Sequence, residues 1–248
     1  MTAPTRFPNG LGTVEQWRAL GDYPLPDPAH TSGDTEANFN ANTPFGVAQF
    51  FLDFLQTADT TAYTVSGVGT PASALGGGYP GTTPTIGGGS WVLTTTTGAA
   101  DSTIALGNST PFAYVAGHKA WFLTSFQLSD ATTCAIVAGL KDAVLESNGI
   151  WFSKASASTS VSLNIKVATV ATAYTGIATL ANNTTVQIGW YYDGVDLKVF
   201  VNDSMVLTVP AAELPTALLA SVFSITNGSG VARTMAIDYV LASGEVQR

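Results

Sequence analysis

The chain has 248 residues, 46% of them hydrophobic and only 10% charged, enough apolar material for one large core in a single domain. Its formal charge of −8, with nine Lys and Arg that form no run, excludes a phosphate-binding surface, so nucleic acid is not expected as a direct partner. No stretch is apolar for the ~18 residues a membrane span needs and the first residues lack a signal-peptide core, so we expect synthesis in a cytosol and no membrane partner.

Residues 1–44 hold six of the twelve prolines and show neither a helical nor a strand period. Proline at that density blocks helices and central strands alike, which predicts an extended arm with at most one helical turn near residues 14–20. The arm also carries Phe7, Leu11, Val14, Trp17, Leu20, Tyr23 and Phe39, more apolar than a solvated tail, and we expect it to dock on a partner. Phe7 and Trp17 are the expected anchors, with Arg6 and Arg18 beside them to pair with acidic groups.

Residues 47–55 read as a strand, residues 63–66 as another, and 67–89 as a Gly/Pro/Thr loop before a strand at 90–96. The triple glycines of that loop are followed by no lysine and no helix start, so they are not a phosphate cradle. From Ala120 the alternation is regular. Phe122, Phe126 and Leu128 share one face, Ile136 and Ala138 another, Ile150, Trp151 and Phe152 form a short strand, and Val161, Leu163, Ile165 and Val167 alternate with Ser162, Asn164 and Lys166. Cys134 lies in an apolar run and reads as a buried, inert thiol.

Residues 186–209 form the strongest pattern: three short strands with Val186, Ile188, Trp190 and Tyr192, then Leu197, Val199 and Val201, then Met205, Leu207 and Val209, each set on one face. Asp193-Gly194 and Asn202-Asp203-Ser204 supply the tight turns between them. A turn at 210–215 and strands at 221–226 and 234–241 complete an all-β, two-sheet antiparallel sandwich over residues 45–248.

The sequence FLDF at 51–54, YTV at 63–65, WVL at 91–93, WFLTSF at 121–126, YYDG at 191–194, LKVFVN at 197–202 and MAIDY at 235–239 resembles, in order, the strands of concanavalin A-like jelly rolls. RFPNG at 6–10, LPDP at 25–28 and TMAIDY at 234–239 resemble tailed-phage proteins that decorate the capsid. This resemblance implies a non-enzymatic virion decoration or cement protein, bound to the major capsid protein and to copies of itself as a trimer, with host glycan as a further partner.

Two other classes compete. Glycan hydrolysis uses two or three carboxylates projecting from one strand face. The pair at that spacing, Asp34-Thr-Glu36, lies in the arm, while Asp53, Asp130 and Asp238 are single, and His30 and His118 have no nucleophile tied to them. We therefore expect no catalytic residues, no metal and no cofactor. A lectin-like module is the stronger alternative: Asp193, Asp196, Asn202 and Asp203 are oxygen donors in adjacent turns, although hairpin turns require these residues for backbone reasons alone.

Overall fold

The computed structural model describes residues 47–53, 63–68, 72–76, 90–107, 112–142 and 147–245. They form strands β1 (Val47–Asp53), β2 (Tyr63–Val68), β3 (Ala72–Gly76), β4 (Ser90–Thr94), β5 (Ser102–Gly107), β6 (Ala120–Leu128), β7 (Cys134–Lys141) and β8 (Gly149–Lys154). After these come β9 (Ser160–Val167), β10 (Val170–Thr179), β11 (Val186–Tyr192), β12 (Asp196–Val201), β13 (Ser204–Pro210), β14 (Ala220–Asn227) and β15 (Thr234–Glu245). The proline-rich residues 1–44, including Arg6, Phe7, Trp17 and Arg18, lie outside the described residues.

Two antiparallel sheets result, as the alternation predicts. The first runs β13-β12-β11-β6-β15-β4-β3, with β1 also paired to β15, and the second runs β10-β9-β8-β7-β14-β5-β2. The chain lays down β7 to β10 as consecutive hairpins in the second sheet and β11 to β13 in the first, then returns through β14 and β15 to the middle of each. Inward positions of both sheets meet in one core, where Phe122, Phe126, Ile136, Phe152, Leu163, Ile188, Trp190, Val199, Phe223 and Ile237 are buried.

The meander at 186–209 forms, but as one flank of the first sheet, because β13 is an edge strand. Its third strand buries the expected face only in part: Val209 lies in the core and Leu207 packs against it. The register slips between Val199 and Phe200, Met205 is exposed, and of that set Val209 alone is fully buried. Loop residues 67–89 contain a strand the composition hid: β3 pairs with β4 through Ala74 and Val92. Strands β5 and β10 were also unforeseen. β10 is an exposed edge of Ala and Thr, with a register shift between Tyr174 and Ala178 around Gly176, which adopts φ +72°.

A lysine belongs to the core. Lys154 is buried, and its ammonium donates to the carbonyls of Cys134, Ala155 (3.1 Å) and Ser158 (2.9 Å), so all three protons have acceptors. Burial holds its pKa below the usual lysine value. Cys134 is buried as expected; burial raises its thiol pKa, and its Sγ donates to the Asp130 carbonyl at 2.8 Å.

The turns are made as their residues dictate. Gly194 has φ +96°, while Asn202 and Asp203 take φ +46° and +65°, the left-handed region that favours Gly, Asn and Asp. Asp193 Oδ1 accepts the amides of Val195 (2.9 Å) and Asp196 (2.8 Å), and Oδ2 pairs with Lys198 at 2.8 Å. Partial burial raises the Asp193 pKa, but the Asp196 amide, Lys198 and the Val195 amide outweigh it and hold the carboxyl at about 2. With the folded value below the ordinary 3.8, the unfolded chain binds more protons between the two, so this contribution is present above that window and is lost as pH falls through it. Melting temperatures of wild type and Asp193→Asn should therefore differ most above pH ~4 and converge towards pH ~2. A difference that stays constant with pH would contradict this assignment.

Candidate functional site

The outer face of the second sheet is built from positions that alternate with the core. Cys134, Ile136, Ala138 and Leu140 of β7, Ile150 and Phe152 of β8, and Val161, Leu163 and Ile165 of β9 point inward. The intervening Gly139 and Lys141, Trp151 and Ser153, and Ser162, Asn164 and Lys166 therefore face outward. Register brings them into rows. Gly139, Trp151 and Asn164 lie side by side, and in the next row Gly149 stands between Lys141 and Lys166.

Trp151 is half-buried, with an aromatic surface open to solvent beside polar side chains. Its ring lies 4.7 Å from the Lys141 ammonium, a cation–π contact of about 0.5–1 kcal/mol in an exposed setting. The Asn164 amide donates to Ser153 Oγ at 2.8 Å, which holds its oxygen and nitrogen in a fixed plane next to the indole. Gly139 is required by the close approach of β8, since a Cβ there would stand 2.5 Å from Trp151 Cα and 2.5 Å from the Ile150 carbonyl. The end of the face is tied down by Asp142, which accepts the amides of Ser147 (3.0 Å) and Asn148 (3.0 Å), while Asn148 Oδ1 accepts the Ala168 amide at 3.0 Å.

The seven strands of this sheet contain no Asp or Glu; their ionisable side chains, apart from Cys134 and the tyrosines, are Lys141, Lys154 and Lys166. Hydrolysis by a carboxylate pair has no acid to use on this sheet.

The residues singled out in the sequence do not converge. Asp34, Glu36 and His30 lie outside the described residues, together with the four expected arm anchors, and Asp53 is described by its backbone alone. Asp130 caps the turn after β6 by accepting the amides of Thr132 and Thr133 and pairs with Arg233 at 3.0 Å. Asp238 is buried at a register shift of β15, and His118 sits in the turn before β6. Asp193 is committed to its turn, and Asn202 Oδ1 accepts the Gln187 amide at 3.0 Å. Among the described residues no three His, Cys, Asp or Glu side chains cluster to hold a metal. Sequence reading recognised the strand with Trp151 and the wet face with Asn164 and Lys166 but did not join them; an indole interrupting the inward pair Ile150 and Phe152 was the available signal.

No protein-family model matches the chain, and no curated protein matches it in sequence. Solved structures do match. An endo-1,3-beta-glucanase from Streptomyces sioyaensis aligns with a TM-score of 0.56 and 13% identity, over 83% of this chain and 99% of its own. Peanut lectin aligns at 0.53 and 12%, over 82% and 99%, and the carbohydrate recognition domain of Emp46p at 0.52 and 10%, over 77% and 94%. The fold is a concanavalin A-like jelly roll. Enzymes and lectins alike use this jelly roll, so the architecture does not by itself support the expected absence of catalysis, and function must be argued from side chains.

The tight packing beneath Trp151 is testable. Gly139→Ala forces β7 and β8 apart, because the new methyl meets backbone atoms that cannot swing away. We expect a loss of about 1–3 kcal/mol in denaturant unfolding, as for other overpacked sites. Unchanged stability would show that the two strands are not held this closely.

Proposed function

We propose that this jelly roll is a lectin-like module that binds glycans on the outer face of the second sheet, with a preference for chains carrying acidic sugars. The observation that carries the reading is the row of Gly139, Trp151 and Asn164 beside the pair Lys141 and Lys166. A pyranose ring has an apolar face of C–H bonds that stacks on an indole, and its hydroxyls suit a neighbouring amide and hydroxyl, here Asn164 and Ser153. Lys141 and Lys166 lie two strand spacings apart, roughly 10 Å at the backbone, with Gly149 between them. On binding, the Lys141 ammonium would leave the indole and, with Lys166, pair with a carboxylate or sulfate on the sugar. The chain as a whole is acidic, which makes a strand face free of carboxylates and carrying two lysines a local exception.

The fold's use by a lectin and by a carbohydrate recognition domain supports the reading. The reading of a capsid decoration protein draws less from the structure. Its opening motifs, at 6–10 and 25–28, fall outside the described residues, and its closing motif, TMAIDY, is accounted for by the packing of β15 in the middle of the first sheet.

Calorimetric titration with an oligouronate and with a neutral glucan of equal length tests the proposal. Trp151→Ala should weaken binding of the oligouronate at least tenfold, about 1.4 kcal/mol. The double change Lys141→Gln and Lys166→Gln should weaken the oligouronate and spare any binding of the neutral glucan. Full affinity in Trp151→Ala would move the site elsewhere. Shortening of the oligosaccharide during incubation would show catalysis and overturn the purely binding role.

A further inference from the structure

The second sheet ends on β10, which among the described residues pairs with β9 alone. Ala168 and Thr169, with φ +47° and +79°, form the two-residue turn that joins these strands and closes on Val167 and Val170. Hydrogen-bonded and open pairs alternate from that turn. Val170, Thr172 and Tyr174 therefore turn their amides and carbonyls to β9, while Ala171 and Ala173 turn theirs outward. The stretch VATAYT at 170–175 carries no charge and no proline to guard this edge, and all of it except Tyr174 is exposed. The neighbouring edge, β13, is better guarded, by a register slip against β12 and by Pro210 at its end. The flank that these two edges share is held together by the hydrogen bond from Tyr174 to Glu213 and is apolar: Val170 is 73% exposed, Met205 58% and Val206 43%.

We infer that β10 pairs antiparallel with β10 of a second copy about a two-fold axis at Ala173, joining the second sheets of the two copies into one. The edge is self-complementary. With the axis at Ala173, the outward amide and carbonyl of each Ala173 meet those of the other copy, and Ala171 falls opposite Thr175. On the inner side Thr172 falls opposite Tyr174, a β-branched and aromatic cross-strand pair made twice by the symmetry. The strand is also neutral, so two copies meet here without the like-charge opposition that a chain of formal charge −8 offers elsewhere. The bulge around Gly176 ends the flat stretch, which keeps the ladder short and the association weak. Ala173 lies beside Asn164, in the row that contains Trp151 and Gly139. Pairing therefore sets two such rows end to end, with the two Trp151 residues five strand spacings, roughly 24 Å, apart on one outer face. The consequence for ligand rests on the glycan-binding reading: a long acidic chain then touches both copies, and two weak contacts act together.

Sedimentation equilibrium of the full chain, without glycan, should show the mass rising with concentration from 25.6 kDa towards twice that value. Ala173→Pro removes an amide that β9 does not use and should hold the mass at that of the monomer. Ala173→Cys gives a second readout that fixes the register. The two-fold brings its Cα to roughly 5.5 Å from its counterpart, within disulfide reach, so a mild oxidant should yield a covalent dimer. Ala171→Cys, whose counterpart lies four residues along the strand, roughly 13 Å away, should cross-link at least tenfold more slowly. Cys134 is buried and does not compete. A chain that stays monomeric at every concentration, a trimer, an association that survives Ala173→Pro, or equal cross-linking of the two cysteine variants would each overturn the inference. The cysteine pair decides the matter even where the proline variant does not fold, and since no glycan is present the result is independent of what Trp151 binds.

Discussion

The indole of Trp190 holds the two sheets and the segment between them in one arrangement. It stacks on Phe122 of the neighbouring strand at 4.4 Å and meets Phe152 of the opposite sheet at 5.3 Å. Its Nε1 donates to the Tyr114 hydroxyl at 2.5 Å, and Tyr114 in turn packs edge-on against Tyr192 at 5.7 Å. An indole N–H taken out of water without an acceptor would cost free energy of the order of 1–3 kcal/mol, a cost that Tyr114 removes for Trp190. Burial in turn pushes the Tyr114 hydroxyl pKa well above the ordinary tyrosine value, although the hydrogen bond from Trp190 works in the opposite direction. A second tie lies at the margin, where the Tyr174 hydroxyl on the edge strand β10 donates to Glu213, just beyond β13, at 2.6 Å.

With the inward faces spent on this core, the two outward faces are free to diverge, and they do so through residue choice at alternate positions. On the first sheet these positions are Trp121, Leu123, Tyr191 and Leu241, too apolar to be left in water. On the second they are Lys141, Ser153, Ser162, Asn164 and Lys166 around a single indole, a mixture that water tolerates and a sugar can use. The two outer faces differ in chemistry, though both arise from the same strand period.

Much of the fold was legible because a half-buried strand announces itself by alternation. β6, β9, β11, β12, β14 and β15 were read from it, and the turns at Asp193-Gly194 and Asn202-Asp203 from the residues that tolerate left-handed backbone. β3 and β10 were not legible, since Ala, Ser, Thr and Gly carry no period for pairing to reveal. The meander stood out in sequence because its strands are local and their turns strong; its flanking position depended on long-range pairing with β6, which no local pattern encodes. The site was hidden for the same reason: Gly139, Trp151 and Asn164 come from three strands and become neighbours only through register. Of the four oxygen donors of the meander turns, conspicuous in sequence, Asp193 and Asn202 are committed to backbone amides and Lys198.

The central claim is that the molecule binds acidic glycans at Trp151 and nowhere else among its aromatic surfaces. The chain has five tryptophans, at positions 17, 91, 121, 151 and 190, so an amide-correlation NMR spectrum resolves five indole N–H signals that single substitutions assign. Titration with an oligouronate should move the Trp151 signal progressively, leaving those of Trp91 and Trp190 in the core and of the buried Trp121 in place. Movement of the Trp121 signal with Trp151 unchanged, or no movement at all, would contradict the account.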